Sequence, residues 1–225
     1  MNENFLNMDP MKGVSLTKKA ILLVGPESSG TKLLAKCFID CFGCAGDDTI
    51  DGTINESEEL IMFRFSLPSG PVGSSRFVYV QHVTQHLKGR GFDVHAVVTS
   101  RNWYPMLESS VRQTGNNDSW MELDPSWDFH CDPNPAMTIK SGDNRSQEET
   151  NRMIQAAYCQ IFKGLVTEKI PFTISNYESL VFDSENHLKS LASILDLDYN
   201  GLDFEIRNEN QKYFGAFEEI GVVDG

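Results

Sequence analysis

Apolar positions along this chain fall into two patterns. Residues 20–24 (Ala-Ile-Leu-Leu-Val) are continuously apolar, as a strand covered on both faces is. Segments at 61–65, 93–100 and 171–175 read as further strands. Between them apolar residues recur at helical spacing, which predicts helices over 31–42, 78–89, 104–113, 147–167 and 184–195. Turn chemistry separates the elements: Gly46-Asp47-Asp48 and Asp51-Gly52 in the acidic stretch 43–59, Pro68-Ser69-Gly70-Pro71, and Gly89-Arg90-Gly91. Strands alternating with helices predict an α/β fold with a central parallel β-sheet flanked by helices in three layers. Residues 1–17 read as a polar N-terminal arm and 18–225 as one domain without repeats, ending in a mixed tail over 200–225. Residues 115–146 are rich in Asn, Asp, Pro, Trp and Gly and show no sustained period, so they read as a long loop. Trp120, Trp127, Phe129, His130 and Met137 within it suit a lid over an aromatic or carbohydrate-like molecule, or equally a staple holding the loop to the body.

The first apolar run ends in Gly25-Pro26-Glu27-Ser28-Ser29-Gly30-Thr31-Lys32-Leu33. A Gly/Pro/Ser loop that opens into a helix presents backbone N–H groups and the positive end of the helix dipole, which together attract an anion. An ordinary turn is the bland alternative. Gly25 and Gly30 have the spacing of a Walker A phosphate loop, but that loop requires G-x4-G-K-[ST] and here Thr31-Lys32 stand in inverted order. Lys32 therefore lies about 100° around the helix from where an NTPase needs its lysine. No predicted strand ends in an Asp suited to Mg2+, which argues against a P-loop kinase.

The strand 93–100 is followed by Arg101, with Asn102 as a helix N-cap and Pro105 in the first turn. Ligands of parallel α/β sheets bind outside the carboxyl ends of the strands. Arg101 therefore joins the 25–33 loop if the two strands are neighbours. An Arg fork suits a phosphate dianion, and Ser109 on the following helix offers a hydroxyl.

With these residues the chain resembles the sulfotransferases that use 3′-phosphoadenosine 5′-phosphosulfate (PAPS), which have a P-loop-type fold. Ser29-Gly30-Thr31-Lys32 is similar to their Ser-Gly-Thr-Thr loop for the 5′-phosphosulfate, and the Arg101/Ser109 spacing is similar to their 3′-phosphate signature. Ile170 to Leu180, with Tyr177-Glu178-Ser179-Leu180, looks like their strand ending in Tyr-Glu-x-Leu, whose Tyr approaches the adenine in some branches. The resemblance runs in order from about residue 20 to 197, and 183–197 looks like the family's leucine-spaced helix. It implies PAPS as the donor and a donor site of Gly25, Ser28, Ser29, Gly30, Thr31, Lys32, Leu33, Arg101, Ser109 and Tyr177, with no metal.

Catalysis is less clearly signalled. Ser28 stands where many members carry a cation for the leaving phosphate, so Lys32 is the substitute. Arg64-Phe65-Ser66-Leu67-Pro68 looks like the strand end that carries the general base in the cytosolic branch. Arg64 retains the positive charge there, and Ser66 stands in the base position. Glu27, His82, His86, Glu58, Glu59 and His130 are the alternative bases. The C-terminal Arg-Lys-Gly element of that branch is not visible; Arg207, Lys212 and Gly215 are all that 205–215 offers. The expected reaction is sulfuryl transfer from PAPS to a hydroxyl or amine of a small-molecule or carbohydrate acceptor. A catalytically silent nucleotide-binding domain is the alternative.

Composition narrows the partners. A net charge of −13 argues against nucleic acid, heparin-like polymers and anionic membranes. No run approaches the ~20 apolar residues of a membrane span, and the N-terminal residues do not read as a secretory signal, so a cytoplasmic setting is expected. Cys37, Cys41 and Cys44 have a spacing used for iron–sulfur clusters, but i, i+4, i+7 on one helix face is also where small buried side chains fall. Free thiols are expected, as is a structural place for His95 and His187.

Overall fold

The computed structural model describes residues 18–46, 58–67, 80–115, 119–123, 137–141 and 145–211. The arm 1–17, the 68–71 turn, Trp127, Phe129, His130, Lys212 and Gly215 lie outside them. The fold is α/β. Four strands, β1 (Lys18–Pro26), β2 (Leu60–Leu67), β3 (Phe92–Ser100) and, after a separate hairpin of β4 and β5, β6 (Phe172–Asn176), form one parallel sheet in the order β2-β1-β3-β6.

The continuous apolar run of β1 has its reason in the layers. Ala20, Leu22 and Val24 enter a core with Val80 and Leu87 of α2 (Val80–Gly89) and Met153, Ala157 and Ile161 of α4 (Gln147–Thr167). Ile21 and Leu23 point the other way, into a core with Leu34 and Phe38 of α1 (Thr31–Phe42) and Leu188 and Leu191 of α6 (Ser184–Leu195). Alternate strand residues face opposite sides, so a strand between two helical layers has no polar position to spare.

Cys37, Cys41 and Cys44 belong to the second core, and burial pushes the Cys37 and Cys44 thiols up to about 12. Thiols held protonated in apolar packing are structural. α1 closes at Gly43, whose φ of 66° lets its own N–H and that of Cys44 turn back onto Ile39 and Phe38 carbonyls. At its start α4 carries a capping box: Ser146 Oγ accepts from Glu149 N at 3.1 Å, and Ser146 N donates to Glu149 Oε2 at 2.9 Å.

Three expectations change. Residues 115–146 are not without regular structure: β4 (Ser119–Leu123) pairs antiparallel with β5 (Met137–Ser141). Two five-residue strands supply little periodicity of their own and acquire definition by pairing with each other. β2 runs on to Leu67, so Arg64 and Ser66 lie within a strand. Tyr177 opens a short helix, α5 (Tyr177–Phe182), capped by Asn176 Oδ1, which accepts from Ser179 N.

The order β2-β1-β3 places chain reversal between β1 and β3. From β1 the connection through α1 leads to one neighbour, β2, and the chain then returns to the other side of β1 as β3. The crevice at such a switch point is where α/β sheets take ligands, and it is flanked by the loop after β1 and by Arg101 after β3. Among the described residues no helix is long and apolar enough to cross a membrane.

Candidate functional site

The loop between β1 and α1 is held from below by small side chains. Ser29 Oγ donates to the Pro26 carbonyl at 2.7 Å and lies 2.6 Å from Thr99 Oγ1 of β3. A Cβ on Gly25 would stand 2.0 Å from Thr99 Oγ1 and 2.4 Å from Ser29 Oγ, so only glycine admits this approach. Gly30, at φ 97°, takes the left-handed turn into α1, and a Cβ there would meet Tyr177 Cδ2 at 2.7 Å. The helix has no side-chain cap and no acid in its first turn. The Thr31, Lys32 and Leu33 N–H groups therefore have no intrahelical acceptor, which leaves donors for an anion. Leu33 packs toward the second core, and the Lys32 side chain is exposed.

Ser28 is strained. Its φ is 63°, a region that costs a non-glycine residue roughly 1–2 kcal/mol. Its Oγ is buried without a hydrogen-bond partner among the described residues. Both features sit at the loop's apex, and such strain persists where neighbours enforce it. The enforcing neighbour is Arg101, whose Nη1 donates to the Ser28 carbonyl at 2.9 Å. Arg101 also lies over the Tyr177 ring, 4.4 Å from its centroid, and directs Nε and Nη2 at Asn210 Oδ1, the former at 2.7 Å.

Two further arginines meet the loop. Arg64, 8% exposed, reaches Thr31 Oγ1 with Nη1 at 3.5 Å, and Thr31 Oγ1 lies 2.7 Å from Ser66 Oγ. Arg145, 3% exposed and just ahead of α4, places Nη1 3.5 Å from Glu27 Oε2. Burial raises the Glu27 pKa above its ordinary value, and the Arg145 charge and hydrogen bond oppose that shift without cancelling it. Arginines converging from β2, β3 and the α4 start thus concentrate positive charge around one loop of an acidic chain.

The sequence-predicted residues divide accordingly. Gly25, Glu27, Ser28, Ser29, Gly30, Thr31, Arg64, Arg101 and Tyr177 come together. Ser109 is half-buried on α3 (Trp103–Gly115), while its neighbour Ser110 is the one that reaches the loop, donating to the Glu27 carbonyl at 3.4 Å. His82 and His86 are exposed on α2, whose buried side packs on β3 and α4. His95 and His187 contact hydroxyls, Thr173 Oγ1 at 3.2 Å and Ser175 Oγ at 2.8 Å, and burial lowers both pKa values.

Sequence reasoning missed Thr99, Arg145, Asn210 and Glu178. Thr99 had a signal, since it stands on β3 two residues before Arg101. The Ser146-x-x-Glu149 box, legible locally, marks Arg145 as the residue entering a helix. Glu178 stands within the Tyr177-Glu178-Ser179-Leu180 motif, but Asn210 had no signal: its Nδ2 donates to Glu178 Oε1 at 2.7 Å across the fold. Known protein-family models, curated proteins and solved structures yield no match to this chain.

Proposed function

We propose that this protein is a PAPS-dependent sulfotransferase acting on a hydroxyl or amine of a small-molecule or carbohydrate acceptor in the cytoplasm. One observation carries the reading. Two segments far apart in sequence share the β1/β3 crevice, with the Arg101 guanidinium 2.9 Å from the Ser28 carbonyl and stacked on Tyr177. In this reading the first-turn N–H groups of α1 take the 5′-phosphosulfate, Arg101 takes the 3′-phosphate with the hydroxyl expected of Ser109 falling to Ser110, which reaches the loop, and Tyr177 borders the adenine.

The acceptor oxygen or nitrogen attacks sulfur, the bond from sulfur to the bridging phosphate oxygen breaks, and that electron pair leaves on the phosphate. The N–H groups, Arg64 under Thr31 and Lys32 on the first turn stabilise the charge that develops there. The acceptor proton goes to a base, and Glu27 is the best-placed group for it. Its carboxylate is in the loop itself, and burial raises its proton affinity toward the range a base needs. His82 is exposed on α2 and fits this role less well. No step uses a metal. The net charge of −13 favours a neutral or cationic acceptor over a polyanion.

A second reading, a catalytically silent nucleotide-binding domain, is favoured by Ser66. Its hydroxyl is tied to Thr31, leaving no proton acceptor in the position from which the cytosolic branch would draw one. Titration with 3′-phosphoadenosine 5′-phosphate, set against ATP with Mg2+, followed by incubation with PAPS and an acceptor panel, tests both. Binding of the 3′-phosphorylated nucleotide with turnover supports the enzyme, binding without turnover supports the silent domain, and preference for ATP with Mg2+ refutes both in favour of a kinase.

A further inference from the structure

Residues 207–210 lie against Arg101, Tyr177 and Glu178 beside the crevice. Leu202, Phe204 and Ile206 anchor the preceding chain to the second core. Beyond Ile206 the attachment is polar. Glu209 N donates to Tyr177 Oη at 3.1 Å, and Tyr177 Oη donates to the Arg207 carbonyl at 3.4 Å. Asn210 is the one buried residue of 201–211, at 1% exposure. Its Nδ2 donates to Glu178 Oε1, which also accepts from Asn102 N at 2.9 Å, and its Oδ1 accepts from both Nε and Nη2 of Arg101.

One oxygen accepting from both nitrogens occupies the Nε/Nη2 edge of the guanidinium, an edge at which a phosphate or carboxylate pairs through two oxygens. Asn210 supplies the shape with a neutral acceptor. We propose that Asn210 is an internal stand-in for a phosphate oxygen, so that an anion arriving at Arg101 displaces it and releases residues 207–211 from the crevice. The inference rests on the proposed donor site and adds its regulation. A phosphate adds a charge–charge attraction to the Arg101 guanidinium that the neutral amide oxygen lacks, so the exchange favours the ligand. Release beyond Ile206 uncovers hydrogen-bonding groups that water can satisfy and leaves the three apolar anchors in place. The closed segment lowers apparent affinity by the fraction of molecules that are open.

Hydrogen exchange of the full chain, read over 205–211 with and without 3′-phosphoadenosine 5′-phosphate, tests the displacement. Expected are faster exchange in this segment on binding and, for Asn210→Ala, an affinity about tenfold tighter. Slower exchange on binding, or weaker binding by Asn210→Ala, would show that Asn210 holds Arg101 ready for the ligand and would overturn the inference. Inorganic phosphate separates this result from the donor reading. If the nucleotide fails to bind but phosphate speeds exchange of 205–211 in the wild type and not in Arg101→Ala, the stand-in survives and the PAPS assignment falls. If neither probe speeds exchange, the stand-in falls. The wild-type measurement decides the matter even if Asn210→Ala folds poorly.

Discussion

Replacing Arg101 by alanine removes three N–H contacts, one to the Ser28 carbonyl and two to Asn210 Oδ1, and the cation over Tyr177. A hydrogen bond to a charged group is worth about 1.5–3 kcal/mol, or roughly tenfold to a hundredfold in affinity. The free protein already uses these donors on neutral oxygens, so a phosphate gains only the difference between an anionic and a neutral acceptor. That places the expected loss in the lower part of the range, about tenfold to thirtyfold. The assay is calorimetric titration of wild type and Arg101→Ala with 3′-phosphoadenosine 5′-phosphate and, in parallel, with adenosine 5′-phosphate. The first ligand should lose about tenfold or more, and the second no more than about threefold. Equal losses for the two would refute the assignment of Arg101 to a 3′-phosphate. The cation over Tyr177 contributes about 0.5–1 kcal/mol at such a site, so the melting temperature of the variant, taken alongside, shows that the fold remains intact at the titration temperature.

Four other outcomes are expected. Ser28→Gly relieves the positive φ and removes a buried hydroxyl lacking a partner among the described residues. It should raise stability by about 1 kcal/mol after the entropy cost of glycine, and a lower melting temperature would contradict the strain. Gly30→Ala places a Cβ 2.7 Å from Tyr177 Cδ2 at φ 97°. A loss of about 2 kcal/mol or more, seen as a melting point lower by roughly 4 °C or more, is expected, and an unchanged melting point would count against the geometry. Lys32→Ala should slow sulfuryl transfer while leaving donor affinity within about threefold, because an exposed first-turn lysine contributes mainly as charge grows on the leaving phosphate; an unchanged rate removes it from the mechanism. His187 has a pKa lowered from 6.5, burial being the larger cause and Asp183 opposing it. The unfolded state therefore binds more protons between the folded value and 6.5, and stability is lost as pH falls through that window. Denaturant titrations of wild type and His187→Gln from pH 7.5 to 5 should show a shallower acid loss in the variant, and parallel curves would show that His187 does not couple.

The helices α1, α4 and α6 begin and end where local periodicity places them, because a helix start and stop depend on residues within a few positions: the glycine turn at Gly30 and Gly43, and the Ser146 capping box. The loop at the end of β1 was legible for the same reason. The hairpin of β4 and β5 was not, since each strand is short and takes its definition from a partner across an intervening segment. Ser110 rather than Ser109 reaching the loop shows the limit of spacing arguments on a helix, where a one-residue step turns a side chain by about 100°.

By itself the sequence determined the four strands of the parallel sheet, the helices α1 to α4 and α6 and their apolar faces, and it marked a glycine loop and an arginine as chemistry without a home. Tertiary structure decided that β1 lies between β2 and β3, and hence that the loop and Arg101 share one crevice. It also brought Arg145 to Glu27 and Asn210 to Arg101, the latter pair 109 residues apart. The physical reason is that a hydrophobic period specifies that a face must be buried but not what buries it. A polar side chain such as Asn210 has no period at all. Its place follows only from the strand order and from the packing of Leu202, Phe204 and Ile206, which carry it to the open end of the sheet.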